Sequence, residues 1–185
     1  LKALHRLIMT SETYKQSSAH REEAAEVDAD NRLLWRQQRQ RLDADTYRDY
    51  ALAACGRLDL TMGGPPGRHF SDYQSYNWGQ PEAARRSIYR FVWRGIADPF
   101  MEALDFPDLG LLAPTRGFSA SSLQALTLFN NPFVLHHSQA LAQRVQSEEA
   151  SLDQQVKRAV ELLWQRPPNE VEAQQFVRFA ESQGL

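Results

Sequence analysis

The chain is expected to be a mainly α, multi-helix domain with a minor short β element around residues 86–94. Three observations predict it: apolar residues recurring at periods of three and four, capping residues just ahead of those stripes, and one short aromatic and β-branched segment between arginines. At 185 residues the chain fits one domain, residues 1–185, with a single sizeable core. It opens mid-pattern at Leu1, as an excised piece of something longer would.

The elements follow in order. Leu1, Leu4, Leu7 and Ile8 share one helical face, and that helix is expected to end near Thr10 and Ser11. Residues 17–30 are polar and acidic and read as a surface excursion, either loop or short solvated helix. Asp30 and Asn31 are expected to start a short helix through Leu33, Leu34 and Trp35. Asp43 has N-cap chemistry ahead of a stripe of Tyr47, Tyr50, Ala51, Ala54 and Leu58. The cluster at residues 63–67 then breaks regular structure; it lacks the spacing of a phosphate-binding loop.

Residues 68–81 are polar and aromatic, with Tyr73, Tyr76 and Trp78 as candidates for stacking on a ligand or for pinning the loop to the surface. Residues 86–94 fit two periods. A helix would align Arg86, Arg90 and Arg94; a strand would align Tyr89, Phe91 and Trp93. Composition favours the strand, paired with residues 59–62 or 104–106.

The second half is helical. Ser121 or Ser122 caps a helix carrying Leu123, Leu126 and Phe129. Asn131 caps the next, with Pro132 at its first position. Leu152, Val156, Val160 and Leu163 mark another stripe. Arg166, Pro167 and Pro168 break it, and Asn169 with Glu172 forms a box-like start for the last helix, which Gly184 follows.

Lys plus Arg is 21 and Asp plus Glu is 23, giving a net charge of -2, without the basic excess of a non-specific nucleic-acid binder. Cys55 is the only cysteine, which excludes an intrachain disulfide, a multi-cysteine zinc site and c-type haem attachment through CxxCH. Beside Leu52, Ala53 and Ala54 it reads as a small buried hydrophobe. No apolar run approaches the roughly 20 residues of a membrane span. His136 and His137 are adjacent, so their side chains point about 100° apart on a helix and do not suit one metal ion. No GxSxG elbow supports a serine nucleophile.

Residues 85–108 hold the densest chemistry, with four arginines, five aromatics and four acids. The acids Asp98, Glu102, Asp105 and Asp108 have three readings. They converge on Ca²⁺, which takes several oxygen ligands; they form a paired-carboxylate hydrolase site; or they pair with Arg85, Arg86, Arg90 and Arg94 and fix local geometry. On the last and favoured reading, Asp105→Ala or Arg86→Ala lowers the melting temperature.

The order of short motifs resembles a family. Residues 4–11 and 13–18, 30–36, 41–45, and Cys55 and Gly56 in the segment ending Arg57, Leu58 and Asp59 carry the likeness. So do residues 62–65, 85–94, Asp98-Pro99-Phe100-Met101, Phe106-Pro107-Asp108, 123–133 and 166–170. In that order they resemble the planctomycete cytochrome-associated domain of unknown function 1553, a PSD-type domain. Cysteine stands at 55 where the family has serine, and the His136-His137 pair is distinctive. The resemblance implies the C-terminal part of a larger multidomain protein, a module of a large exported, cytochrome-associated chain at an extracytoplasmic site. It implies the other domains of the parent chain as partners, with polysaccharide as a candidate. It carries over no catalytic residues and no cofactor. The two functional expectations are a binding or scaffolding module, and a hydrolase of complex carbohydrate using acids from residues 98–108.

Overall fold

The computed structural model describes residues 1–66, 84–92, 97–108, 115–117 and 119–184. They fall into two compact units, residues 1–41 and residues 42–185. The protein is mainly α, as the periodicity predicts.

In the first unit, α1 spans Lys2–Met9 and α2 spans Glu22–Val27. The segment after α2 is not the short helix expected from Asp30 and Asn31. Asn31 has φ +56°, in the left-handed region that a helix forbids and asparagine tolerates. Its side chain accepts from Arg36 N–H at 3.2 Å and donates to Arg36 C=O at 2.9 Å. The Asp28 carboxylate takes the N–H groups of Arg32 and Leu33. Side-chain to backbone bonds of this kind offer the chain an alternative to helix, and here they win.

The second unit holds α3 (Ala44–Ala54), α4 (Pro99–Ala103), α5 (Ser122–Asn130), α6 (Pro132–Glu148), α7 (Leu152–Trp164) and α8 (Glu170–Ser182). Their starts are chemically explicit. Asp43 accepts from Thr46 N–H, Ser121 from Gln124 N–H, Asn131 from Phe133 N–H and Ser151 from Gln154 N–H. Each bond satisfies a donor that has no partner inside its helix. Asn169 and Glu172 complete a reciprocal capping box at α8.

Helices α6, α7 and α8 pack in succession, α3 lies against α6 and α7, and α5 contacts both α4 and α6. The core joins Ala44 of α3 to Phe100 and Met101 of α4, with Tyr47, Leu104, Phe106, Leu128, Phe133 and Val134 around them. Leu52 is fully buried, a burial that contributes roughly 1.5–3 kcal/mol. Arg144 of α6 donates to the Ala54 carbonyl at 2.8 Å, a cation at the negative end of α3.

The segment around residues 86–94 is where periodicity misleads in detail. Among the described residues of that segment β character is confined to a bridge position at Arg90, and just ahead of it an isolated parallel bridge joins Arg85 to Asp59, at the edge of the expected partner segment. Ser87–Tyr89 themselves form a 3-10 turn packed on α3. A second difference lies in α5. Leu123, Leu126 and Phe129, the stripe that reads as core, are exposed, while Gln124 is 2% exposed.

The α7–α8 connection carries a pH-sensitive clasp. Arg166 donates twice to Glu172, at 2.8 Å each, and Asn169 N–H donates once more. The Arg166 guanidinium, and after it the Asn169 N–H, hold the Glu172 carboxyl down to about 2, against an ordinary 4.5. A depressed carboxyl stabilises the fold above its unfolded value and loses that effect as pH falls through its folded value. The melting temperature is therefore expected to fall more steeply in wild type than in Glu172→Gln between about pH 5 and pH 2. Parallel acid limbs in thermal melts of the two proteins would count against the clasp.

Candidate functional site

The site is built on α3. Its most buried stripe runs Ala44, Arg48 and Leu52, so an arginine sits between two core residues. Arg48 is 5% exposed and stacks over the Phe133 ring at 5.6 Å. It donates to the Arg85 carbonyl at 2.8 Å and lies 3.4 Å from Ser87 Oγ. Asp49, one residue on, accepts from Ser87 N–H and Ser87 Oγ at 2.7 Å each. Adjacent residues of one helix thus hold the backbone and side chain of the 3-10 turn.

The turn in turn holds the loop that follows Asp59. Asp59 N–H donates to the Ala84 carbonyl, and Arg85 donates to the carbonyls of Thr61, Gly63 and Pro65. Tyr89 Oη accepts from Gly63 N–H at 2.9 Å. The Thr61 hydroxyl and N–H, with the Arg85 charge nearby, hold the Asp59 carboxyl below its usual range.

Of the four acids, Asp98 caps α4, accepting from the N–H groups of Phe100 and Met101, and its second oxygen meets Arg90 at 3.0 Å. The Arg90 and Asp98 side chains are 2% and 13% exposed. Arg90 also lies 4.8 Å over the Phe106 ring. Burial pulls both Arg48 and Arg90 below the usual arginine value. Asp49 and Asp98 oppose this, while Arg90 adds to the fall for Arg48. Asp105 stands at φ +60° and accepts from Ser119 N–H, Ser119 Oγ and Gln124 Nε2 at 2.5–2.9 Å. Glu102 and Asp108 are exposed.

The acids that cluster in sequence therefore go separate ways: Asp98 to Arg90, Asp105 to Ser119 and Gln124. Among the described residues, no three His, Cys, Asp or Glu side chains are grouped to hold a metal ion. Tyr73, Tyr76, Trp78 and Arg94 lie outside the described residues.

Arg86 departs from the expectation of an ion pair. Its Nε is buried without an acceptor, and among the described residues its guanidinium meets only the Tyr89 ring, at 5.6 Å. With no carboxylate to strand, Arg86→Ala loses the physical ground for a large drop in stability. Cys55 and His137 are both buried, with Sγ 3.5 Å from Nδ1. A nucleophile and base so enclosed offer no opening to substrate. His136 faces Arg57 instead, at 2.7 Å.

Residue spacing does not reveal the parts played by Arg48, Asp49, Ser87, Ser119 and Gln124. The available signal is Arg48 itself, at i+4 from Ala44 and i−4 from Leu52, where a helix places one face.

These features define a helical domain whose 3-10 turn is fixed to the bundle by buried arginines and carboxylates. The chain belongs to the PSD1 family, proteins of unknown function (DUF1553), whose model matches residues 1–180. No curated protein and no solved structure matches it. No helix among the described residues is long and apolar enough to cross a membrane.

Proposed function

We propose that this domain is a non-catalytic binding or scaffolding module of a large exported, cytochrome-associated protein, working outside the cytoplasm. Its partners on this reading are other domains of the parent chain. The observation that supports it is the use of Asp98 and Asp105. Each accepts several hydrogen bonds from protein groups, and Asp98 also neutralises Arg90. Carboxylates held this way stabilise a loop and a helix start; a hydrolase needs one carboxyl free to donate a proton and another to face water or sugar.

The test is incubation of the protein with a panel of neutral and acidic polysaccharides, with new reducing ends as readout. None is expected. Asp105→Ala removes the acceptor for Ser119 and Gln124 and is expected to destabilise by about 1–3 kcal/mol, seen as a lower melting temperature. Hydrolysis by wild type that disappears in Asp105→Ala at unchanged stability would establish the carbohydrate-hydrolase reading instead.

A further inference from the structure

The segment entering the 3-10 turn carries a cation, Arg86, that meets no carboxylate among the described residues. Arg90 has Asp98. Arg85 meets three carbonyl dipoles and has the Asp59 charge nearby, and among the described residues Arg86 meets only a ring face. Both guanidiniums stand against Tyr89, Arg85 at 4.2 Å and Arg86 at 5.6 Å. The Nε atoms of both are buried with no acceptor. An arginine held by stacking, with its fork uncommitted, is pre-organised for a carboxylate.

The neighbours of these cations are apolar and open to solvent. Ile88, between Arg86 and Tyr89, is 82% exposed. On the loop tied to the turn by Arg85 and Tyr89, Leu60 is 65% and Met62 78% exposed. Single exposed aliphatics need no explanation, but three on two hydrogen-bonded segments beside such a cation, Arg86, make a combined surface. Its complement carries carboxylates and aliphatic side chains together. A polysaccharide offers Leu60, Met62 and Ile88 only the C–H faces of its rings, a poorer match than aliphatic side chains, and a phosphate backbone would need far more positive charge.

We infer that Arg86 and Tyr89, with Ile88, Leu60 and Met62, form a docking surface for an acidic, aliphatic peptide segment of a partner protein or domain. This rests on the non-catalytic reading and names the partner class for it. Arg86 supplies the directional contact to a carboxylate, and the aliphatics supply area that salt does not screen.

Fluorescence anisotropy on the whole chain tests this, with a labelled eight-residue peptide alternating Glu and Leu as the probe. Its Lys-Leu counterpart and an oligogalacturonate serve as competitors. The Glu-Leu peptide is expected to bind saturably and more weakly at higher salt, with neither competitor displacing it. Arg86→Gln is expected to weaken binding by about tenfold or more. Ile88→Ser, at a position too exposed to carry the fold, is expected to weaken it severalfold with the melting temperature unchanged. The inference is overturned by absence of saturable binding, by equal affinity in Arg86→Gln or Ile88→Ser, or by oligogalacturonate displacing the peptide. Failed peptide binding without glycan hydrolysis leaves the non-catalytic reading standing, whereas hydrolysis removes that reading itself.

Discussion

Asp98→Ala is expected to destabilise the protein by about 3–5 kcal/mol, because it strands a buried cation. Arg90 is the direct partner at 3.0 Å with its side chain 2% exposed, and Arg48 also feels the Asp98 charge. Without that carboxylate, two mutually repelling guanidiniums remain in a poorly solvated site. The same substitution removes the cap of α4, a loss typically of about 1 kcal/mol. Asparagine separates the two effects, since it caps well but carries no charge. In urea denaturation, Asp98→Asn is therefore expected to fall below wild type, and Asp98→Ala lower again by the cap. An Asp98→Ala protein within 1 kcal/mol of wild type would mean that solvent or another group neutralises Arg90, contrary to the geometry.

Replacing Arg90 and Asp98 together by apolar residues is a different experiment. Breaking one half of a buried pair costs far more than removing both halves, since removal of both also removes the desolvation penalty. The pair thus specifies where the turn meets α4 more than it stabilises the fold. This is why the acids of residues 98–108 were legible as a structural set without being legible as individual contacts. The sequence shows four arginines followed by four acids; it does not show that the helix start at Pro99 turns Asp98 toward Arg90. Nor does it show that the left-handed backbone at Asp105 turns the next acid toward Ser119 and Gln124.

Helix starts were legible because their chemistry is local. Asp43, Asn131 with Pro132, and Asn169 with Glu172 each act within three residues of themselves. The turn at Ser87–Tyr89 was not, because its conformation is fixed from α3, through bonds to residues some 40 positions earlier in the chain. Aromatic and β-branched content favours a strand there, and tertiary contacts override it. The α5 inversion has the same origin. Gln124 is drawn inward by Asp105 and Ser119, and the helix face that pairs its amide nitrogen leaves Leu123, Leu126 and Phe129 outward. A polar residue with a specific buried partner can thus set the face of a short helix against its apolar stripe.

Arg48 shows the same competition at its sharpest, and two substitutions there weigh its parts. Arg48→Ala is expected to destabilise by about 3–5 kcal/mol, Arg48→Met by about half as much. Methionine keeps an apolar stem between Ala44 and Leu52 and fills space beside Phe133, so it isolates the loss of the guanidinium. That loss has two opposing terms. The Arg85 carbonyl loses its donor and Asp49 loses a cation 3.6 Å away, while Arg90 is relieved of a like charge. The first outweighs the second because Arg90 keeps Asp98, which already offsets much of the repulsion, whereas the Arg85 carbonyl loses a short hydrogen bond at the edge of the core. Alanine adds the cavity left by the stem. Chemical denaturation gives the two losses, and amide exchange gives the location. In both variants the Ser87 and Asp59 amides are expected to exchange faster, because the turn and its bridge are loosened from α3. An Arg48→Met protein as stable as wild type, with these amides unchanged, would show that Asp49 alone holds the turn.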